Sequence, residues 1–174
     1  RGPRGCRHLG SVAMPTISTA LTVAAFVAFA VIGAILAIID IRTHRLPNRL
    51  VATVGVTGVV LLVAAALTGS RMDALIRALL AALVLFAAYL VLRMLSAGGV
   101  GGGDVKLAAV IGLHLGWLGW GSVLVGTLAG FVLGGVFAAG MLLVRRADRR
   151  SAIPFGPWML AGAWVAIVLT VSRP

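Results

Sequence analysis

Six apolar stretches, at residues 17–39, 50–67, 74–95, 105–118, 122–144 and 155–171, limit what this chain can fold into. Crossing the hydrocarbon core of a bilayer takes about 20 such residues per helix. Backbone N–H and C=O groups inside a bilayer must pair within the protein, so stretches of this kind fold as helices. Hydrophobic residues make up 61% of the 174 and charged ones 11%, more apolar surface than a water-soluble domain of this size can bury. The expected class is an all-α integral membrane protein with six transmembrane helices, the fourth of them short. Residues 16–174 are read as one domain without internal repeat or linker, and 1–15 as an N-terminal tail. The first thirteen residues show no helical pattern and precede Met14, so they read as an extension of the natural chain. A cleaved signal peptide fits less well, because the first apolar stretch is already long enough to span.

Charge then sets orientation. Fifteen Lys and Arg face four acidic residues, a net charge of +11. Such a balance suits nucleic acid, but the basic residues sit at the ends of apolar stretches, which argues for a lipid bilayer and against nucleic acid as partner. The loops after the first, third and fifth stretches and their flanks hold Arg42, Arg45, Arg49, Arg93, Lys106, Arg145, Arg146, Arg149 and Arg150. The other two loops hold only Arg71 and the nearby Arg77. The positive-inside rule places the basic side in the cytoplasm, giving a multi-pass protein of the cell inner membrane. Arg1, Arg4 and Arg7 dissent, in the tail. One cysteine, Cys6, excludes an internal disulfide and a Cys-rich zinc site.

All four acids are aspartates: Asp40, Asp73, Asp104 and Asp148. Asp40 closes the first stretch and Asp104 opens the fourth, with two crossings between them. An even number of crossings returns the chain to the same face. Two more bring "SAIPFGP", Ser151 to Pro157, back to that face as well. Ionisable groups at the edge of a low-dielectric region are costly and point to function. If two carboxylates meet there, repulsion lets the pair share one proton. The ionised member can then take a proton from water while the neutral one donates to a carbonyl oxygen, which is peptide hydrolysis without a covalent intermediate. No Ser–His or Cys–His arrangement competes; the histidines are His8, His44 and His114.

Plainer readings stand beside these. Asp40 also balances Arg42 and Arg45. Asp104 also works as a helix N-cap after the glycine-rich run from Gly98 to Gly103. Those glycines are either a flexible connector or a place where a substrate backbone can come close to the carboxylate. Asp73 reads as a cap or as the partner of Arg77 at i,i+4, Asp148 as a solvated charge in "RRADRR", and His114 as hydrogen-bonded packing. Trp117 and Trp120 read as an interfacial belt around Gly119. Gly126, Gly130 and Gly134 should admit a neighbouring helix closely.

Three segments resemble the motif regions of type IV prepilin peptidases: "IIDIRTHRLPN" (Ile38–Asn48), "GGGDVKL" (Gly101–Leu107) and "IPFGPWMLAG" (Ile153–Gly162). The middle one is similar to the family's GxGD motif, with Gly101, Gly103 and Asp104 in its positions, and more distantly to that of presenilin and signal peptide peptidase. The resemblance implies a GxGD-type aspartyl peptidase core with Asp40 and Asp104 as catalytic residues. Around them, Lys106, Pro47, Asn48, Pro154, Gly156 and Pro157 have motif or groove-shaping roles. It implies a prepilin or pseudopilin precursor as partner, cut behind a basic leader at the cytoplasmic face, with no cofactor and no metal. Larger members carry an N-terminal region with paired cysteines linked to N-methylation. With Cys6 alone, this chain is expected to resemble the short forms that serve Flp/Tad-type pili, without methyltransferase activity.

Two other classes remain from the residues themselves. In a small proton-coupled membrane transporter, Asp40 and Asp104 would form a relay, though such proteins place acids near the midplane and show repeats. A non-catalytic secretion-assembly subunit would keep the fold alone. Sequence leaves the oligomeric state open.

Overall fold

A computed structural model describes residues 8–43, 46–96, 101–143 and 155–172, with side chains from Thr16 onward except at position 142. The described residues form six helices and no strand: α1 (His8–Thr43), α2 (Asn48–Gly69), α3 (Met72–Leu95), α4 (Gly102–Leu118), α5 (Trp120–Leu143) and α6 (Gly156–Val171). Each coincides with one of the six apolar stretches. Four contain segments long and apolar enough to cross a membrane: Thr16–Thr43, Asn48–Gly69, Met72–Leu95 and Trp120–Met141. At 16 residues α6 is a shorter apolar helix, and α4 has 17.

The bundle is built around α4, which packs on α2, α3, α5 and α6. From Asp104 to Trp117 every α4 residue is buried except Lys106 and Ala109. Small residues permit this. A Cβ on Gly112 would lie 2.5 Å from the carbonyl oxygen of Ala81, and one on Gly116 would lie 2.8 Å from the Cα of Ala78, so α3 rests directly on the α4 backbone. In lipid, where burial of apolar area gives little drive between helices, such close packing is what holds them together.

The outer helices bury one side only. On α1 the buried positions are Ser18, Ala25, Phe29, Gly33, Leu36 and Asp40, a stripe spaced three, four or seven residues apart. Val23, Val27, Val31, Ile35 and Ile38 face outward, the arrangement expected of a lipid-facing surface. The glycine row on α5 meets α6, as its spacing suggests. A Cβ on Gly130 would be 3.3 Å from the Cα of Met159, and one on Gly162 of α6 would collide with the backbone of Gly126 and Gly130.

Two expectations need correction. Residues 8–15, read as part of an unpatterned tail, continue α1 as helix. Propagation adds a hydrogen bond per residue once a helix exists, Pro15 excepted. Trp117, read as half of an interfacial belt, is fully buried, with the guanidinium carbon of Arg71 5.1 Å from its ring centroid, while Trp120 is exposed. Trp117 lies in the last turn of α4, and α4 is covered nearly all round, so that turn has little lipid side to present. Arg77 closes that end by donating from Nε to the carbonyl of Gly116 (2.8 Å) and from Nη2 to that of Trp117 (3.2 Å), carbonyls that a helix terminus leaves unpaired.

Replacing Gly162 with Ala should therefore cost about 1–3 kcal/mol by overpacking and lower the melting temperature of the purified protein. Gly135→Ala, where an added Cβ meets nothing within 4 Å, should leave it unchanged or raise it. Thermal unfolding of both variants in one detergent checks the contrast.

Candidate active site

Asp40 is the last member of the buried stripe on α1, 5% exposed, and Asp104 stands in the first turn of α4, 8% exposed. Both line a cleft of about 580 Å³ at one end of the bundle, together with Asn48, Arg93 and Gly101 to Gly103. The third segment joins them. Gly156, which opens α6, lies against Asp40 so closely that a Cβ there would sit 2.8 Å from Asp40 Oδ2. The ends of α1, α4 and α6 thus meet at one face, as the count of crossings requires.

Local chemistry fixes each group. The N-cap of α4 is Gly101 and not Asp104, which corrects the capping reading. Asp104 is the third helical residue, and its Oδ2 accepts a hydrogen bond from the N–H of Gly101 at 3.1 Å, the reach-back half of a capping box. The plainer role and a role in the cleft coexist, because one oxygen takes the cap. Leu46 wedges between the segments: a Cβ on Gly103 would be 2.7 Å from its Cβ, and one on Gly156 would be 3.4 Å from its Cδ1. Pro47 is the N-cap of α2 and its carbonyl accepts from the N–H of Leu50 (3.1 Å) and Val51 (3.3 Å). Asn48 accepts from Lys106 Nζ at 2.9 Å, which ties the first turn of α2 to α4 and gives Lys106 a defined structural task. Pro157 lies in the first turn of α6, where a missing N–H costs nothing.

Sequence reasoning overlooked Arg93. It was absorbed into the charge bias, yet it lines the cleft and its field acts on Asp104. Its guanidinium rests over Gly102, where a Cβ would meet Nη1 at 2.5 Å. A cation in the last turn of a span, one short loop before a carboxylate, is the signal that could have found it. Pro154 and Asp148 lie outside the described residues. Asp73 is exposed and sits 3.9 Å from Arg77 in the expected i,i+4 pair. His114 is fully buried, with Nδ1 2.8 Å from the carbonyl of Val110 and the ring stacked on Phe29 at 4.4 Å, the packing role expected. Among the described residues, no group of three or more His, Cys, Asp and Glu is placed to hold a metal ion.

Asp104 precedes the apolar run 105–118. Burial, opposed by the hydrogen bond from Gly101, then reinforced by the charge of Asp40 and opposed by Arg93, pushes its carboxyl up from 3.8 to about 6. A carboxyl poised there changes hands readily with water near neutral pH.

The sequence pattern of the type IV leader peptidase family matches residues 26–139, which include Asp40, Asp104 and the glycines before it. The chain belongs to this family. It is similar to the prepilin leader peptidase/N-methyltransferase of Aeromonas salmonicida, 35% identical over 97 residues, covering 55% of this chain and 32% of the relative. The proteins of the same name from Stutzerimonas stutzeri and Bacillus subtilis are 31% and 33% identical, each over 76% of this chain and over 45% and 50% of their own lengths. The chain therefore spans about a third to a half of the curated relatives it matches. No solved structure matches it.

Because its folded pKa is raised, Asp104 favours the folded state when neutral. That stability is present below 3.8 and is lost as pH rises to about 6. Asp104→Asn stays neutral throughout. Between about pH 4 and about pH 7 the wild type should lose melting temperature relative to Asp104→Asn, as differential scanning fluorimetry across that range would show. A gap that stays constant would mean the carboxyl is not held up by burial.

Proposed function

We propose that this chain is a membrane-embedded aspartic endopeptidase that removes the basic leader from type IV prepilin-like precursors. In this reading residues 16–174 form one six-span peptidase domain with a GxGD-type core, in the cell inner membrane. The single observation that carries it is the meeting of Asp40 and Asp104, from two helices, in one cleft. Family membership supports the reaction class. The cytoplasmic placement of the site is supported by the basic residues at the same end of the bundle, Arg42, Arg49, Arg93 and Lys106. The narrower assignment to Flp/Tad-type precursors rests on the sequence resemblance alone.

The chemistry follows from the pair. One carboxylate ionised and one neutral is the state that repulsion favours. A water between them gives a proton to the ionised oxygen and attacks the scissile carbonyl carbon, while the neutral carboxyl donates its proton to the carbonyl oxygen. The tetrahedral diol then collapses: the C–N bond breaks, the nitrogen takes a proton from the carboxyl that received it, and the diol returns one to the other carboxylate. Both carboxyls end as they began. Gly101 to Gly103, Leu46 and the start of α6 shape the walls that hold the peptide. The transporter reading finds no comparable support, since the acids sit at one end of their helices.

Co-expression with a tagged type IV prepilin, followed by gel shift for loss of the leader, tests the reading. Asp40→Asn and Asp104→Asn should each reduce processing by about 100-fold or more, while Asp73→Asn, on the opposite face, should process normally. Survival of processing in both cleft variants would remove the carboxylates from the reaction.

A further inference from the structure

Among the described residues, the cover around α4 opens on one side. Of its residues from Asp104 to Trp117 only Lys106 and Ala109 are not buried, and both face a second, almost wholly apolar groove of about 590 Å³. The walls are α2, through Ala52, Val56 and Val60, and α3, through Phe86; the floor is Ala109 and Val110 of α4. The groove exists because α2 and α3 each pack on α4 more than on each other. They are joined by the turn at Ser70 and Arg71 at the end away from the aspartates. Asn48, Phe86 and Lys106 line both the groove and the cleft, so the two are continuous. From Asn48 to Val60 the α2 wall runs about 18 Å at the helical rise of about 1.5 Å per residue.

We propose that this groove docks a single apolar helix of the protein being cut. The helix would lie along α2 in the bilayer, and the polar segment just before it would enter the cleft past Asn48 and Lys106. The proposal rests on the peptidase reading above. The occupant is argued from continuity and surface chemistry. A peptide bond presented to Asp40 and Asp104 lies in a cleft lined by charged and polar groups, and among the described residues the way on from it along α4 is apolar. Val56 and Val60, a turn apart, are more than half exposed, and Ala52 stands one turn before them. Ala52, Gly55 and Ala109 leave the groove shallow enough for another helix backbone. Between apolar helices in lipid, fit of this kind decides association. Acyl chains are the competing occupant.

Photo-crosslinking separates the two. A photoreactive residue is placed at Val56 or Val60, or at Val168 on the outward face of α6 as control, in the full-length protein co-expressed with a tagged type IV prepilin. Adducts to the apolar segment of the prepilin from α2 and none from Val168 are the expected result. In parallel, Ala52→Trp should slow processing of the intact prepilin at least about tenfold, while cleavage of a soluble peptide bearing only its leader and cleavage site stays within about twofold, equivalent to a loss of about 1.4 kcal/mol confined to the membrane-bound substrate. Active wild type with adducts only to lipid, or Ala52→Trp slowing both substrates equally, would overturn the groove and leave the peptidase standing. Wild type that leaves both prepilin and peptide intact would overturn the peptidase reading itself, and the groove as a substrate-docking surface with it.

Discussion

The close approach of α3 to the backbone of α4 is the constraint on which the rest of this structure depends. Gly112 and Gly116 give α3 a surface without side chains, and Ala78 and Ala81 fill it. With α4 held at that distance, α2, α5 and α6 can close around its remaining sides. A helix of 17 residues is too short to be anchored by lipid contact over its own length. Encasing it between the longer α2, α3 and α5, with α6 on its remaining side, fixes its depth and rotation. Asp104 inherits both, because it stands in the first turn of that helix. A side chain substituted into the glycine pair would shift the carboxyl eight or twelve residues away by moving the whole helix.

Burying a carboxylate at such a place is costly, and three features of the cleft reduce the cost without removing it. The N–H of Gly101 donates to Asp104, the guanidinium of Arg93 acts on it through space, and the helix N-terminus favours negative charge. Against these stand desolvation and the second carboxylate of Asp40. The outcome is a carboxyl near 6 rather than near 4. Had Arg93 touched Asp104 directly the group would be locked as a carboxylate; without Arg93 the pair would resist ionisation further. A nearby but indirect cation leaves the pair able to exchange protons with water.

Most of the architecture was legible in the sequence because the bilayer penalises unpaired backbone so heavily that apolar stretches and helices coincide. The crossing count followed from it, and with it the common face of Asp40, Asp104 and Gly156. What crossing parity does not carry is azimuth. The apolar pattern of α4 runs all the way round, so nothing in it told which side would be uncovered or that Trp117 would point inward. The pairing of Lys106 with Asn48 joins residues 58 apart in sequence, and no local pattern links an amide at the start of one span to a lysine at the start of another. Asp104 was placed as an N-cap because an acid after glycines fits that position equally well; the helix begins three residues earlier than that placing requires, with Gly102 and Gly103 in helical geometry against Arg93 and Leu46.

The glycines of the cleft also take on a different meaning in three dimensions. As a string they suggest room for a substrate backbone. In the folded chain each faces a different neighbour: Gly101 the Asp104 carboxylate, Gly102 the Arg93 guanidinium, Gly103 Leu46, and Gly156 the Asp40 carboxylate. Their absent side chains make space first for the protein's own groups. Two carboxylates, a guanidinium and a leucine cannot share the ends of three helices unless the backbones between them are bare. Access for a peptide is then a consequence of that arrangement, because the same bareness that lets Asp40 and Asp104 converge leaves the cleft open above them. The run of glycine in front of an aspartate is thus explained by the convergence it permits, and an alanine at Gly156 would obstruct the carboxylate of Asp40 before it obstructed any substrate.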